Sequence, residues 1–283
     1  MKQIQYMNFH KQIFFFLLFC FSFNYAQEIP KETYHQFSNY RNFEYKNDTI
    51  TVTIRNPLFS PLRVYVFSEY LKDKKIINDT IKLVIKENSE VNIKLPAKKL
   101  DDSQFNFRFK QRLGDVRKRI KHNKLALPFP KGKTYSIMQS SNGSFSHNKD
   151  GSRYAIDFNM KVGDTITSAD DGFIVAVIKD YEFGKNDIKW TPYANFITIY
   201  HPHSGLFTDY VHLKKDGAFV KVGDAVKRNQ PIGLSGATGF TSGEHLHFNV
   251  LIPEKNMSLK SIPFIFENNI SSKRLKINQE IKN

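Results

Sequence analysis

Thiols are almost missing from this chain: Cys20 is the only cysteine in 283 residues. It lies inside an N-terminal apolar stretch. Once that stretch is removed, no disulfide can staple the fold and no cysteine can bind metal or act as a nucleophile. Acids are also scarce, with 27 Asp and Glu against 42 Lys and Arg, a formal charge of +15. Such a surplus excludes strongly acidic binding tails and favours anionic partners through attraction that salt weakens. The apolar run Ile13 to Phe23 is about half the ~20 residues a helix needs to cross a bilayer. It reads as the core of an export signal spanning residues 1–26, with Lys2 and Lys11 as its cationic part and Ala26 before the cut. A lipid-attachment cysteine follows a small residue, whereas Phe19 precedes Cys20. Removing the signal lowers the charge by two and loses no acid. Cell-wall polymer is then the expected partner. Nucleic acid is not, because no recognition motif for it is present and the chain is exported.

What is there divides into two parts. From about Asn47 to Lys110, short segments alternate polar with apolar: Thr49–Ile54, Ile81–Ile85, Val91–Leu95 and Phe105–Phe109. Period-two alternation puts one face in a core and the other in water. Asn56-Pro57, Ser60-Pro61, Asn78-Asp79 and Asn88-Ser89 mark the turns. The fold class is all-β: a small antiparallel β-sandwich over residues 27–116, followed by a second antiparallel domain over 125–268. No catalytic cluster appears in the first part, where His35 reads as a surface residue. Residues 117–124 form a basic run, either an exposed linker or a strip that grips anionic polymer. Residues 269–283 read as a poorly packed polar tail.

In the second part, Gly172–Val177, Phe196–Tyr200 and Leu246–Val250 are strand signals. Lys161-Val162-Gly163-Asp164 recurs as Lys221-Val222-Gly223-Asp224, so two similar corners are expected.

Five of the nine histidines bear on chemistry. In Glu244-His245-Leu246-His247-Phe248, residues two apart on a strand share a face, about 7 Å apart. One can bind metal while the other faces bound water. Four glycines between Gly233 and Gly243 deliver the chain to this pair, letting the backbone turn sharply and approach an extended ligand. The Lys-Ser/Thr pair and following helix of a phosphate loop are missing. Asp209-Tyr210-Val211-His212-Leu213 adds a third histidine, and Tyr154-Ala155-Ile156-Asp157-Phe158 sets one carboxylate in an apolar strand. Such a carboxylate either is buried and needs a partner or occupies an exposed position of an alternating strand.

Asp157, Tyr210-Val211-His212-Leu213, Gly236-Ala237-Thr238-Gly239, Ser242-Gly243 and His245-Leu246-His247-Phe248 together resemble the M23 metallopeptidases of the lysostaphin or LytM type. The likeness runs from near Ser144 to Pro263 and includes the paired Val-Gly-Asp turns. It implies a zinc ion (Zn2+) held by one histidine, Asp157 and His247, with water in the fourth position. His212 and His245 would act on that water and on the developing oxyanion. This agrees with the open coordination of catalytic zinc.

One position departs from the pattern. The family's first ligand lies four residues before the aspartate, where this chain has Arg153. A guanidinium has no lone pair to offer, and at ~4 Å from the ion the two charges would repel by roughly 8 kcal/mol at a dielectric near 20. His147 is the expected replacement. Asp150-Gly151 is a hairpin signal that would fold it back beside the Asp157 strand, with a one-residue bulge correcting its face. His201-Pro202-His203 has the same spacing as the key pair, but its proline and Ser204-Gly205 read as a turn. His122, in the basic run, is expected to be exposed. Two other readings keep the fold: a wall-binding or regulatory module without catalysis, and a lipoyl- or biotinyl-like carrier. The carrier would need a modifiable lysine at a hairpin tip and leaves the histidines unexplained.

Overall fold

A computed structural model describes residues 28–30 and 40–283. The segment expected to be an export signal, with Cys20, and also His35 lie outside the described residues. Among the described residues, no helix is long and apolar enough to cross a membrane.

Among its described residues the N-terminal unit has six strands: β1 (Arg41–Lys46), β2 (Thr49–Asn56), β3 (Leu62–Phe67), β4 (Ile81–Ile85), β5 (Ser89–Pro96) and β6 (Arg108–Leu113). They form two antiparallel three-stranded sheets, ordered β1-β2-β5 and β4-β3-β6. Alternation in β2 turns Ile50, Val52 and Ile54 inward, where they share a core with Leu62, Val64 and Val66 of β3. The last expected strand is displaced. Phe105 caps a short 3-10 turn held by Asp101, and the strand starts only at Arg108. Phe105 and Phe107 are instead drawn into a ring cluster with Phe43, at centroid distances of 6.1 and 5.1 Å.

The second part carries β7 (Thr134–Gln139), β8 (Ile156–Phe158), β9 (Thr165–Thr167), β10 (Gly172–Ile178), β11 (Gly184–Lys185), β12 (Phe196–His201) and β13 (Leu206–Val211). It continues with β14 (Leu213–Ala218), β15 (Ala225–Val226), β16 (Pro231–Ser235), β17 (Gly239–Phe240), β18 (Leu246–Pro253), β19 (Leu259–Ser261) and β20 (Glu280–Lys282). One nine-stranded sheet runs β15-β10-β12-β13-β18-β8-β7-β20, with β19 also on β18. Its pairings are antiparallel. One face buries Ile156, Phe158, Tyr210, Phe248 and Phe266 in a single cluster. The two Val-Gly-Asp turns are alike in atomic detail. Gly163 and Gly223 sit at φ +95° and +97°. Asp164 and Asp224 each accept from the backbone N–H three residues earlier, at 2.7 and 2.9 Å.

The core of the first unit continues onto the large sheet through Val175, Tyr200, Phe207 and Leu251. Buried Arg63 crosses the same boundary, donating to the carbonyls of Leu113, Glu254 and Ser258. The basic run is neither a free linker nor a wholly exposed strip. Ile120 packs on the second core, Lys121 N–H donates to Ser204 O at 2.9 Å, and the Lys118 ammonium lies 5.5 Å from the Tyr200 ring centre. His122 is exposed, as its surroundings suggest.

The C-terminal tail is a correction. Leu275 and Ile281 are buried in the main core, and β20 pairs with β7. Two or three apolar residues suffice here because the open hydrogen-bonding edge of β7 accepts the last strand.

Candidate metal centre

β18 and β8 lie side by side with His247 directly opposite Asp157, and β13 places Val211 opposite His247 on the other side. The carboxylate and that imidazole therefore share one sheet face by register alone. His147 arrives differently. The expected hairpin is absent: residues 140–155 form a chain of turns between β7 and β8, and His147 N–H donates to Gly143 O at 3.0 Å. The ring is fully buried, with Nδ1 2.9 Å from Ser140 O, which makes it the protonated nitrogen and leaves Nε2 a lone pair.

Three atoms then meet. His147 Nε2 is 3.1 Å from Asp157 Oδ1 and 3.2 Å from His247 Nδ1, and His247 Nδ1 is 2.9 Å from the same oxygen. A tetrahedral zinc with N and O ligands at their usual lengths wants donor atoms about 3.3 Å apart. The fit holds on chemistry too. Nε2 of His147 has no proton to give, so His247 Nδ1 and Asp157 Oδ1 cannot both be satisfied by it, whereas one cation satisfies all three. Burial alone would raise the Asp157 pKa, but the close imidazoles of His147, His245 and His247 hold it well below the usual carboxylate range. Burial depresses His247, against the pull of Asp157. An ionised carboxylate beside a His247 ring biased towards its neutral form is what metal binding requires.

His212 and His245 stand next to this triangle. His245 Nδ1 is 3.0 Å from Gly243 O, and its Nε2 is 3.9 Å from Asp157 Oδ1. His212 Nδ1 is 2.7 Å from Thr238 O, and the two rings are 4.6 Å apart. Both carbonyls hold an Nδ1–H, so the neutral tautomer of each ring carries its lone pair on Nε2. Burial, then the neighbouring His245 and His247, push His212 well below the ordinary histidine pKa. His212 holds φ +67°, a left-handed conformation that costs a non-glycine residue about 1–3 kcal/mol and clusters at functional sites. The glycine-rich approach works otherwise than by admitting a ligand. A Cβ on Gly236 would strike the Lys214 backbone, and one on Gly239 would lie 2.6 Å from Ala194. Close backbone packing there sets the Thr238 carbonyl under His212.

Other expected residues fall elsewhere. Arg153 turns out to Asp150 at 3.2 Å, its side chain 45% exposed. His201 and His203 lie at the β12–β13 turn, away from the triangle: His201 is sealed between Asp171 O at 2.8 Å and Thr208 Oγ1 at 2.9 Å, and His203 faces Asp170 at 3.0 Å. Sequence reasoning missed Gln139. Its Nε2 donates to Asp157 Oδ2 and to Ser146 Oγ, each at 2.8 Å, holding the carboxylate with Oδ1 forward. A Cβ on Gly143 would collide with the Gln139 side chain, so that glycine makes the arrangement possible. Nothing in the local pattern of β7 marks Gln139 as different from an ordinary strand residue.

The site floors a cleft of about 500 Å³ lined by Met138, Phe145, Ile188, Phe240, His212 and His245 among others. Two imidazoles and a carboxylate converging on one point, under two further imidazoles in an open cleft, define the layout of a metal-dependent hydrolase. Residues 151–259, within the second part of the chain, match the model of Peptidase family M23. The matched stretch holds Asp157, His212, His245 and His247 but stops short of His147. The chain is 41% identical over 97 residues to peptidoglycan DD-endopeptidase ShyB of Vibrio cholerae, covering 34% of this chain and 20% of that protein. It is 34% identical over 119 residues to glycyl-glycine endopeptidase ALE-1 of Staphylococcus capitis, covering 41% and 29%. The solved catalytic domain of lysostaphin from Staphylococcus simulans is 28% identical, with a TM-score of 0.32, over 46% of this chain and 87% of that one. The chain spans about a third or less of the curated relatives it matches.

Proposed function

We propose that this chain is an exported zinc endopeptidase that hydrolyses peptide bonds in peptidoglycan cross-links or stems. The observation that carries the reading is the triangle of His147 Nε2, Asp157 Oδ1 and His247 Nδ1 beside two imidazoles with free lone pairs. Those three residues would hold the ion, which when bound polarises the scissile carbonyl and makes water acidic enough to attack near neutral pH. The protein's own groups do the rest. One neutral Nε2, of His212 or His245, accepts a proton from the attacking water. As imidazolium it supports the developing oxyanion through that new N–H and then returns the proton to the amine as the C–N bond breaks. The carbonyls of Thr238 and Gly243 keep both rings in the tautomer this needs. Gln139 keeps Asp157 aimed.

The substrate class is supported by the activities for which ShyB and ALE-1 are named, by the basic surplus and by the expected export signal. The N-terminal sandwich, packed on the large sheet through Phe207 and Leu251, would act as a rigid platform for binding wall polymer. The test is digestion of purified sacculi with and without chelator, together with metal analysis. New amine ends that vanish with chelator, and about one zinc per chain, are expected. No amine ends and no bound zinc would overturn the enzyme and leave the non-catalytic wall module.

A further inference from the structure

The cleft over the site has a lopsided chemistry. Its walls are apolar: Phe145 stacks on Phe240 with ring centres 4.8 Å apart at 21°, and Met138 and Ile188 stand exposed at its edges. Besides the histidines, the charged side chains lining it are Asp157 and Lys149. Asp157 is buried and committed to His147, His247 and Gln139. Lys149 is exposed and has no ion pair or side-chain hydrogen bond among the described residues. The carboxylate next to it in sequence, Asp150, is taken by Arg153. A single uncompensated cation therefore faces an apolar cleft, two residues along the chain from His147.

We propose that Lys149 anchors a free carboxylate of the substrate, within a residue or two of the scissile bond, and that the cleft prefers such a peptide over an uncharged glycine bridge. The proposal rests on the peptidase reading and names its substrate class. An ammonium beside apolar walls is less screened than one in open water, so it pairs more firmly with an incoming carboxylate. A glycine bridge offers neither that carboxylate nor side-chain surface to bury against Phe145 and Phe240. Lys149 shares its turn-rich loop with His147, so anchor and reacting point are fixed in one piece of backbone, a residue or two of extended peptide apart.

The test uses two short peptides that differ only in carrying a carboxylate or its amide on the residue after the scissile bond, with pentaglycine as a third. Binding of their non-cleavable forms to the metal-free full chain is measured by calorimetry, and cleavage by amine release from the zinc-loaded chain. The carboxylate peptide is expected to bind roughly threefold to fivefold tighter than the amide, as an exposed ion pair allows. That difference should shrink with salt, vanish in Lys149→Gln and survive in Lys149→Arg. Equal affinity in the unaltered chain, or a preference that persists in Lys149→Gln, overturns the proposal. If the preference is present but no peptide is cut, the carboxylate anchor stands and the peptidase reading falls. If all three peptides are cut equally and bound equally, the reverse holds.

Discussion

Two His-x-His pairs in this chain have identical spacing and opposite fates. His201 and His203 flank a proline at the end of β12, where the chain turns. Both nitrogens of His201 are spent on Asp171 O and Thr208 Oγ1, and His203 swings out to Asp170. His245 and His247 enter β18 with no such break. One nitrogen of His245 is held by a carbonyl, and His247 Nδ1 meets Asp157 and His147. The first pair glues a turn; the second presents lone pairs to a cleft. An imidazole becomes available for chemistry when structure satisfies only one of its nitrogens.

The strongest way to break this contrast is at the carboxylate between the active pair and His147. Asp157→Ala is expected to abolish bound zinc and lower hydrolysis by at least about a thousandfold, read by metal analysis and amine release. His245→Ala should keep its zinc while losing roughly 10²- to 10⁴-fold in rate. Loss of the metal in that variant would move His245 into the ligand set. Gln139→Ala sharpens the picture from behind the site. Freed from its clamp, Asp157 should bind zinc about 10- to 100-fold more weakly, measured by competition with a chelator, and Gln139→Glu should not restore it because a second carboxylate repels the first.

The sealed pair should answer in stability instead. Burial, opposed by Asp171 O and Asp170, pushes the His201 pKa down to about 4. With the folded value below the unfolded one, the unfolded chain binds more protons as pH drops. The stabilisation is complete above about pH 6.5 and is lost as pH falls towards 4, by up to about 3 kcal/mol. Denaturant midpoints across that range check it, and a flat profile would count against a neutral sealed ring. The smallest effect is at Arg153. Arg153→Ala removes only an exposed pair with Asp150, so zinc content should not change and stability should move by less than about 0.5 kcal/mol.

Much of the fold was legible because alternation leaves a direct trace. The segments at Thr49, Gly172, Phe196 and Leu246 are strands within three residues of their expected bounds, and the paired turns follow from Gly and Asp at fixed offsets. Phe105 failed because aromatic clustering outweighed alternation, and the tail failed because Ile281 needs only an open strand edge to be worth burying. His247 and Asp157 were readable as candidates since each lies on a strand whose facing is set by period two. His147 was singled out by elimination of Arg153, yet the hairpin imagined for it is a run of turns. Gln139 left no trace at all.

The sequence by itself determined the all-β class, the facing of each strand residue and the supply of imidazoles and one carboxylate, because these depend on local period and residue chemistry. Only the tertiary structure decided which imidazoles keep a free nitrogen, that a loop histidine stands beside Asp157 and His247 where Arg153 does not, and that Gln139 holds the carboxylate. Those outcomes depend on contacts between groups far apart in the chain, such as His147 with His247 and His212 with Thr238, and no local pattern records such contacts.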